Sequence, residues 1–309
     1  MNPTGTGKYE ALLERCRAFE PIPTAVAHPC DESALSAPLQ AAAKGLIKPI
    51  LVGPKAKIID VAKKAGIELG ATEIVDVPHS HASATQAVAL VREGRAELLM
   101  KGSLHSDELL AALVARDGGL RTARRISHVF LMDVPAYHKV LLITDAAINI
   151  APTLEDKADI CRNAIDLALG MGVERPKVAI LAAVETVSSK MPATIDAACL
   201  CKMSERGQIT GGLFDGPLAF DNAISREAAK IKGIESQVTG DPDILLAPDL
   251  EAGNILAKQL SFLGGADSAG LVLGARVPVI LTSRADSVRS RIASCAVAML
   301  AAHARRRSG

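Results

Sequence analysis

The sequence predicts an α/β protein: two α/β domains with mostly parallel sheets and a cleft between them. Three observations predict it. Short apolar runs alternate with helical patterns along most of the chain, the pattern of strands joined by helical crossovers. The chain has 309 residues, enough for two such domains. Hydrophobic residues make up 49 % of it but aromatics only 2 %, with no Trp. The core is therefore built from Ala, Val, Leu and Ile, which suits helices packed closely on parallel sheets.

The elements follow in order. Thr24–His28, Pro49–Val52, Glu73–Val77 and Leu98–Lys101 are short apolar runs and read as strands. Glu32–Lys44, Ala56–Ala65 and Ala82–Glu93 carry apolar residues at helical spacing between them. Ile126–Val134 and Lys139–Asp145 break the rhythm: joined by Pro135-Ala136-Tyr137-His138, they read as a hairpin. A domain boundary is therefore expected between Leu120 and His128. Leu154–Met171 is a helix, and Val178–Ala183 and Ile209–Phe214 are strands. Phe214-Asp215-Gly216-Pro217 reads as a turn. Ile244–Ala247, Gly270–Leu273 and Pro278–Thr282 are strands, with a helix over Glu251–Leu263. The last helix, Ser287–Arg306, is expected to return to the first domain. The first domain is then residues 1–125 with 284–309, and the second is 126–283.

Composition excludes several functions. The formal net charge of +1 gives no field for nucleic acid or an anionic membrane. With so few aromatics there is little to stack on bases. No run reaches the ~18 apolar residues of a spanning helix. The first twenty residues lack the apolar block of a secretory signal, so a cytoplasmic location is expected. Cys16, Cys30, Cys161, Cys199, Cys201 and Cys295 show no zinc-site spacing and read as reduced core residues.

The segments that carry chemistry end strands. Gly5-Thr6-Gly7-Lys8 fails as a phosphate loop: Asn2 stands where the first glycine belongs and Tyr9 where a hydroxyl would hold magnesium. Val279–Ser287 is stronger, because a buried strand ends in Thr282-Ser283-Arg284 and a helix follows. Ligands gather at the carboxyl ends of strands, and free N–H groups at a helix start favour an anion. Arg284 adds a fork that fits phosphate oxygens. Ser283-x-x-Asp286 also fits a capping box. Gly119–His128 packs Arg121, Arg124 and Arg125 just before a strand. Met100-Lys101-Gly102-Ser103-Leu104-His105 is another strand end, where Lys101 is a point charge for phosphate and His105 reads as a surface helix residue. Thr144–Asn149 and Pro248–Asn254 are carboxylate and amide loops after strands. They lack a DxD arrangement, so no metal site is assigned. Capping accounts for Asp249 equally well.

Met100-Lys101-Gly102, Arg124-Arg125-Ile126-Ser127-His128-Val129-Phe130, Leu142–Asn149, Asp215-Gly216-Pro217-Leu218, Ala247–Asn254 and Thr282-Ser283-Arg284 together resemble the phosphate acetyl/butyryl transferase family. The resemblance runs from about residue 20 to the end, and its hairpin segment is closest to the butyryl-type branch. It implies an isocitrate/isopropylmalate dehydrogenase-like architecture with the site in the cleft. It also implies a homodimer or higher oligomer, acyl-CoA and inorganic phosphate as substrates, and no bound cofactor or metal; the near-neutral charge adds that no nucleic-acid or membrane partner is expected. Ser283 and Arg284 match the family pair that contacts the reacting phosphate or acyl group, and Arg125 matches a family arginine. The family aspartate seven residues after the Ser corresponds to Ser290 here, so the base role falls to the nearest carboxylate, Asp286. Lys101, Arg124, Arg125, Ser127, Asp145, Asn149, Asp249, Glu251 and Asn254 are the expected phosphate- and CoA-binding residues.

The expected reaction is acyl-CoA plus phosphate giving acyl phosphate plus CoA, with acetyl transferred directly in a ternary complex. Phosphate butyryltransferase activity and a non-catalytic acyl-CoA-binding domain are the alternatives. A nicotinamide-dependent decarboxylating dehydrogenase would need metal-binding aspartates and a base lysine in the cleft.

Overall fold

The structure is a computed structural model and describes residues 7–282 and 286–308. The chain divides into two units. The terminal unit takes Tyr9–Arg124 and the chain from Ala269 onward; the middle unit takes Arg125–Ser268 with Lys8. The return to the terminal unit thus comes before the expected residue 284. The reason is pairing: the last two strands of the chain hydrogen-bond into the terminal unit's sheet.

The terminal unit contains α1 (Lys8–Cys16), β1 (Ile22–Ala27), α2 (Glu32–Ala43), β2 (Ile47–Gly53), α3 (Lys55–Ala65), β3 (Glu73–Asp76), α4 (Ser80–Arg92), β4 (Leu98–Lys101) and α5 (Ser106–Val114). The middle unit follows with β5 (Ser127–Asp133), β6 (Leu141–Thr144), α6 (Leu154–Gly170), β7 (Lys177–Leu181), α7 (Pro192–Glu205), β8 (Leu213–Leu218), α8 (Phe220–Ile224), α9 (Arg226–Ile231), β9 (Ile244–Leu246) and α10 (Leu250–Phe262). β10 (Asp267–Leu273), β11 (Val279–Ile280) and α11 (Val288–Ser308) complete the described chain.

In the terminal unit the strand order is β3-β2-β1-β4-β11-β10. β3, β2, β1, β4 and β11 run parallel, and β10 is antiparallel to β11. Strands such as β4 are buried along their whole length, as parallel strands covered on both faces must be. Asp31 starts α2 by accepting from the Ala34 N–H at 2.8 Å. Gly66 ends α3 in the left-handed conformation, φ 64°. α11 packs against α2 and β11, burying an Ala-rich face.

In the middle unit the order is β5-β6-β9-β7-β8. β5 and β6 form the expected antiparallel hairpin, while β6, β9, β7 and β8 run parallel. Its core is mainly aliphatic, built around Met132, Leu141, Ile143, Leu181 and Leu245, with the Tyr137 ring buried among them. Lys8 closes the hairpin: its Nζ donates to the Val134 and Tyr137 carbonyls at 3.0 and 2.6 Å and pairs with Asp133 at 2.9 Å. The lysine of the failed phosphate loop is thus a hairpin clamp.

Two expectations need correction. Asp215-Gly216-Pro217 is not a turn but part of β8, which begins later than Ile209. β8 is the edge strand of its unit, where a proline lacking N–H is tolerated. The cysteines are all free, but only Cys16, Cys30, Cys161 and Cys295 are buried; Cys199 and Cys201, on α7, are partly exposed. Burial pushes the Cys161 and Cys295 thiols up to about 12, which keeps them protonated and inert.

Candidate functional site

The polar residues of the middle unit centre on Asp145, where the chain leaves β6. Its carboxylate turns back into the loop. Oδ1 accepts from the backbone N–H of Ala147 at 2.8 Å and of Ile148 at 3.0 Å, an Asx-type turn. Oδ2 accepts from the backbone N–H of His128 at 3.1 Å, from that of Asn149 at 3.3 Å and from Asn149 Nδ2 at 2.6 Å. The side chain is 3 % exposed. Two carboxylate oxygens offer about four lone-pair sites, and five donors already converge on them. The sequence reading set Asp145 against substrate; the structure commits it to the protein.

Asn149 is 2 % exposed and fixed in one orientation. Its amide nitrogen donates to Asp145 Oδ2 and to the Ile126 carbonyl at 2.9 Å. Its Oδ1 is therefore left to accept, and it does so from Arg125 Nε at 2.6 Å. The Arg125 backbone is held as firmly. Its N–H donates to Asp159 Oδ2 at 2.9 Å, and its carbonyl accepts from Asn163 Nδ2 at 2.8 Å. Asp156 Oδ1 lies 3.5 Å from Nε, and the Arg125 side chain is 53 % exposed. Among the described residues its two Nη atoms carry no hydrogen bond. The result is a guanidinium anchored at its base with its fork outward.

Ser127 does not extend this cationic surface. It is buried, and its hydroxyl accepts from Asn163 Nδ2 at 2.9 Å. His128 beside it is buried with its ring edge on Phe130, and burial drops its pKa to about 4. The imidazole is thus neutral at physiological pH and adds no charge to the site.

α10 closes the other side of the Asp145 loop. Asp249 is its N-cap, accepting from the Ala252 N–H at 2.8 Å, which is the capping role. Asn254 donates to the Ala146 carbonyl at 2.9 Å, and Glu251 is exposed in the first turn. Gly253 makes the approach possible, since a Cβ there would lie 2.4 Å from the Asp145 carbonyl oxygen. Gly253→Ala is therefore expected to destabilise the protein by about 1–3 kcal/mol, because backbone must move on both sides. A thermal melt tests this, and an unchanged midpoint would refute it.

Lys101, Arg124 and Asp286 belong to the terminal unit. Lys101 ends β4 and is buried. Thr282 follows β11, the neighbour of β4; it is also buried, and its Oγ1 has no hydrogen-bond partner among the described residues. Two buried polar side chains thus end adjacent parallel strands, where α/β sheets collect ligands. Gly102 lets β4 close onto β1, because a Cβ would meet the Ala27 carbonyl oxygen at 2.4 Å. Arg124 is exposed, and its N–H donates to Thr122 Oγ1 at 3.1 Å. His105 is the exposed N-cap residue of α5. Ser283 and Arg284 lie outside the described residues.

Asp286 is not the third residue of a capped helix. α11 begins at Val288, and its capping hydroxyl is that of Ser287, which accepts from the Ser290 N–H at 3.1 Å. Asp286 precedes the cap, and its carbonyl accepts from Arg291 Nε at 3.4 Å. Ser290 is buried with its hydroxyl 3.1 Å from that of Ser287.

Sequence reasoning missed Asn163 and Asp159, and it quoted Thr282 in the strand-end motif without giving it a role of its own. Asn163 and Asp159 sit on α6, too far along the chain for spacing to link them to Arg125. Thr282 carried a signal, a hydroxyl closing an apolar strand.

No helix among the described residues is long and apolar enough to cross a membrane. A family profile described as Phosphate acetyl/butaryl transferase matches residues 80–299. A phosphate acetyltransferase of Rhizobium meliloti is 64 % identical over 304 residues, 98 % of this chain and 96 % of that protein. A phosphate butyryltransferase of Clostridium beijerinckii is 41 % identical over 95 % of this chain and 97 % of its own. The crystal structure of a branched-chain phosphotransacylase from Enterococcus faecalis superimposes with a TM-score of 0.79 at 31 % identity, covering 91 % of this chain and 99 % of that one. With its parallel sheets, its anchored arginine and these relatives taken together, the chain belongs to the phosphate acetyl/butyryl transferase family.

Proposed function

We propose that the chain is a phosphate acetyltransferase, converting acetyl-CoA and phosphate into acetyl phosphate and CoA by direct transfer. The observation that carries this reading is the 64 % identity, over nearly the whole of both chains, to a protein named phosphate acetyltransferase; the named butyryltransferase stands at 41 %.

The chemistry asks for few parts. Phosphate needs cations that hold its oxygens, and Arg125, Arg284 and Lys101 are of the right kind. The tetrahedral oxyanion of acyl transfer needs donors, and the hydroxyls of Ser283 and Thr282 and the Arg284 fork are suited to that. In the reverse direction the CoA thiol must lose its proton, and Asp286 is the carboxylate proposed to take it. Neither substrate requires an enzyme nucleophile when both are held together. The raised thiols of Cys161 and Cys295 suit that scheme.

The partners are acyl-CoA, phosphate and a second copy of the chain. The homodimer reading is supported by Phe262 and Leu263 at the end of α10, which are 81 % and 82 % exposed. A cytoplasmic setting suits the free thiols.

The test is CoA release from acetyl-CoA and butyryl-CoA, followed with a thiol reagent, with and without phosphate and with EDTA. Expected are release only with phosphate, faster turnover of acetyl-CoA, and no effect of EDTA. Phosphate-independent release, or loss in EDTA restored by zinc or magnesium, would overturn the reading. Faster butyryl turnover would move the assignment to the butyryl branch.

A further inference from the structure

We infer that Asn149, itself locked by Asp145, is a positioning residue that aims the Arg125 guanidinium at the phosphoryl oxygens of a substrate. This rests on the proposed transfer reaction for the identity of the anion, but the geometry stands by itself.

An arginine side chain carries about 2 kcal/mol of rotamer entropy, most of which must be lost before it grips an anion. A protein that prepays this loss binds tighter. Here the loss is prepaid at Nε, which sits 2.6 Å from Asn149 Oδ1. The amide cannot swing away to release it. Its nitrogen is held between Asp145 Oδ2 at 2.6 Å and the Ile126 carbonyl at 2.9 Å, and flipping it would set an oxygen against both acceptors. Asp145 is fixed in turn by the backbone N–H groups of His128, Ala147, Ile148 and Asn149.

The same geometry sets the mode of recognition. A guanidinium can bind an oxyanion side-on, through Nε and one Nη, or end-on, through both Nη atoms. Asn149 occupies Nε, so the end-on pair remains. The role is indirect: both N–H donors of the Asn149 amide are already taken by the protein and the residue is buried, so it has no donor left to offer an anion. Two sources share this chemistry, inorganic phosphate (or acyl phosphate) and the phosphates of CoA.

A double-mutant cycle tests the inference. Arg125→Ala should lower kcat/KM by on the order of 10²-fold, the size of a lost charge-assisted contact. Asn149→Ala alone should raise one substrate KM by roughly tenfold with a smaller change in kcat, as expected when a binding group is loosened but kept. A rise in KM for phosphate marks inorganic phosphate as the anion gripped; a rise for acyl-CoA marks the CoA phosphates. The double variant should be no worse than Arg125→Ala, because Asn149 acts only through Arg125. Losses that multiply would overturn the inference and return Asn149 to direct substrate contact.

A second measurement does not depend on turnover, and its deciding reading is taken on the unsubstituted protein. In protein labelled with ¹⁵N-arginine, the Arg125 Nε–H resonance is assigned by its absence in Arg125→Lys. In the unsubstituted protein it should exchange slowly with water, and in a folded Asn149→Ala it should lose that protection. A fast-exchanging Arg125 Nε–H in the unsubstituted protein overturns the positioning role even if the transfer activity is present. Protection without phosphate-dependent CoA release would instead fault the proposed reaction and leave the anchored arginine standing.

Discussion

Asp145→Ala is expected to lower the urea midpoint of the middle unit by roughly 2 M. The substitution removes the acceptor of five donors at once. Those on Ala147 and Ile148 lie nearer the surface, and water can replace part of what they lose. The His128 N–H and the Asn149 amide are buried, and each orphaned buried donor costs about 1–3 kcal/mol. About 4 kcal/mol in total, divided by a denaturant slope near 2 kcal/mol/M, gives that shift. It is a large share of the roughly 5–15 kcal/mol that stabilises a domain. Tyr137 is a local reporter, buried in the middle unit with its hydroxyl donating to the Pro242 carbonyl at 2.7 Å. The protein has two tyrosines and no tryptophan, so a Tyr9→Phe background leaves Tyr137 as the only fluorophore of its kind. Asp145→Asn should fall between, because an amide oxygen can keep the Ala147 and Ile148 bonds while its NH₂ confronts the His128 and Asn149 donors. An Ala variant that unfolds with the parent would show that these bonds hold nothing.

The fold was legible because buried parallel strands need continuous apolar runs. Leu98–Lys101 and Leu141–Thr144 are such runs, buried from end to end. β8 was misplaced because its sequence looks like a turn. Leu213–Leu218 contains Asp215, Gly216 and Pro217, residues that normally end strands. Gly216 is there because the backbone passes close to β7 and α7: a Cβ would meet Ile180 Cβ at 2.8 Å and Ala197 Cβ at 3.3 Å. The site was legible as chemistry but not as direction. Arg125, Asp145 and Asn149 were all singled out as substrate contacts. Only the structure separates the arginine, whose fork faces outward, from the two residues behind it, whose polar atoms are spent on the protein. Nothing in residue type or spacing distinguishes a carboxylate aimed at a ligand from one aimed at the N–H groups of its own loop. The register of α11 was hidden for a similar reason. Ser283-x-x-Asp286 and Ser287-x-x-Ser290 both offer a hydroxyl at a helix start, and the helix uses the second.

That register separates helix capping from the proposed base role in Asp286→Asn. In a capping box headed by Ser283, Asp286 would have held the helix start, and its substitution would have mixed folding with catalysis. Since Ser287 caps α11, the Asn variant leaves the cap itself intact, and its melt is recorded beside the kinetics. In the direction that makes acyl-CoA from acyl phosphate, the CoA thiol must become a thiolate. A free thiol has a pKa of about 8.5, so only a few per cent is ionised at pH 7. A positioned base contributes about 10²–10⁴-fold to such a proton transfer. The Asn variant should lose at least about 10² in kcat at pH 7. The sign of its pH dependence follows from the thiol. Without a base, the rate tracks the thiolate fraction, rising about tenfold per pH unit and levelling above the thiol pKa. The parent, which carries its own base, should change far less over the same range, so the gap between the two profiles narrows by about thirtyfold at high pH. The measurement is the initial rate of acyl-CoA formation from pH 6 to pH 9, with folding checked at each end. An Asn variant that matches the parent across that range would leave Asp286 as a residue ahead of the cap, and the thiolate would have to be supplied by solvent or by another group.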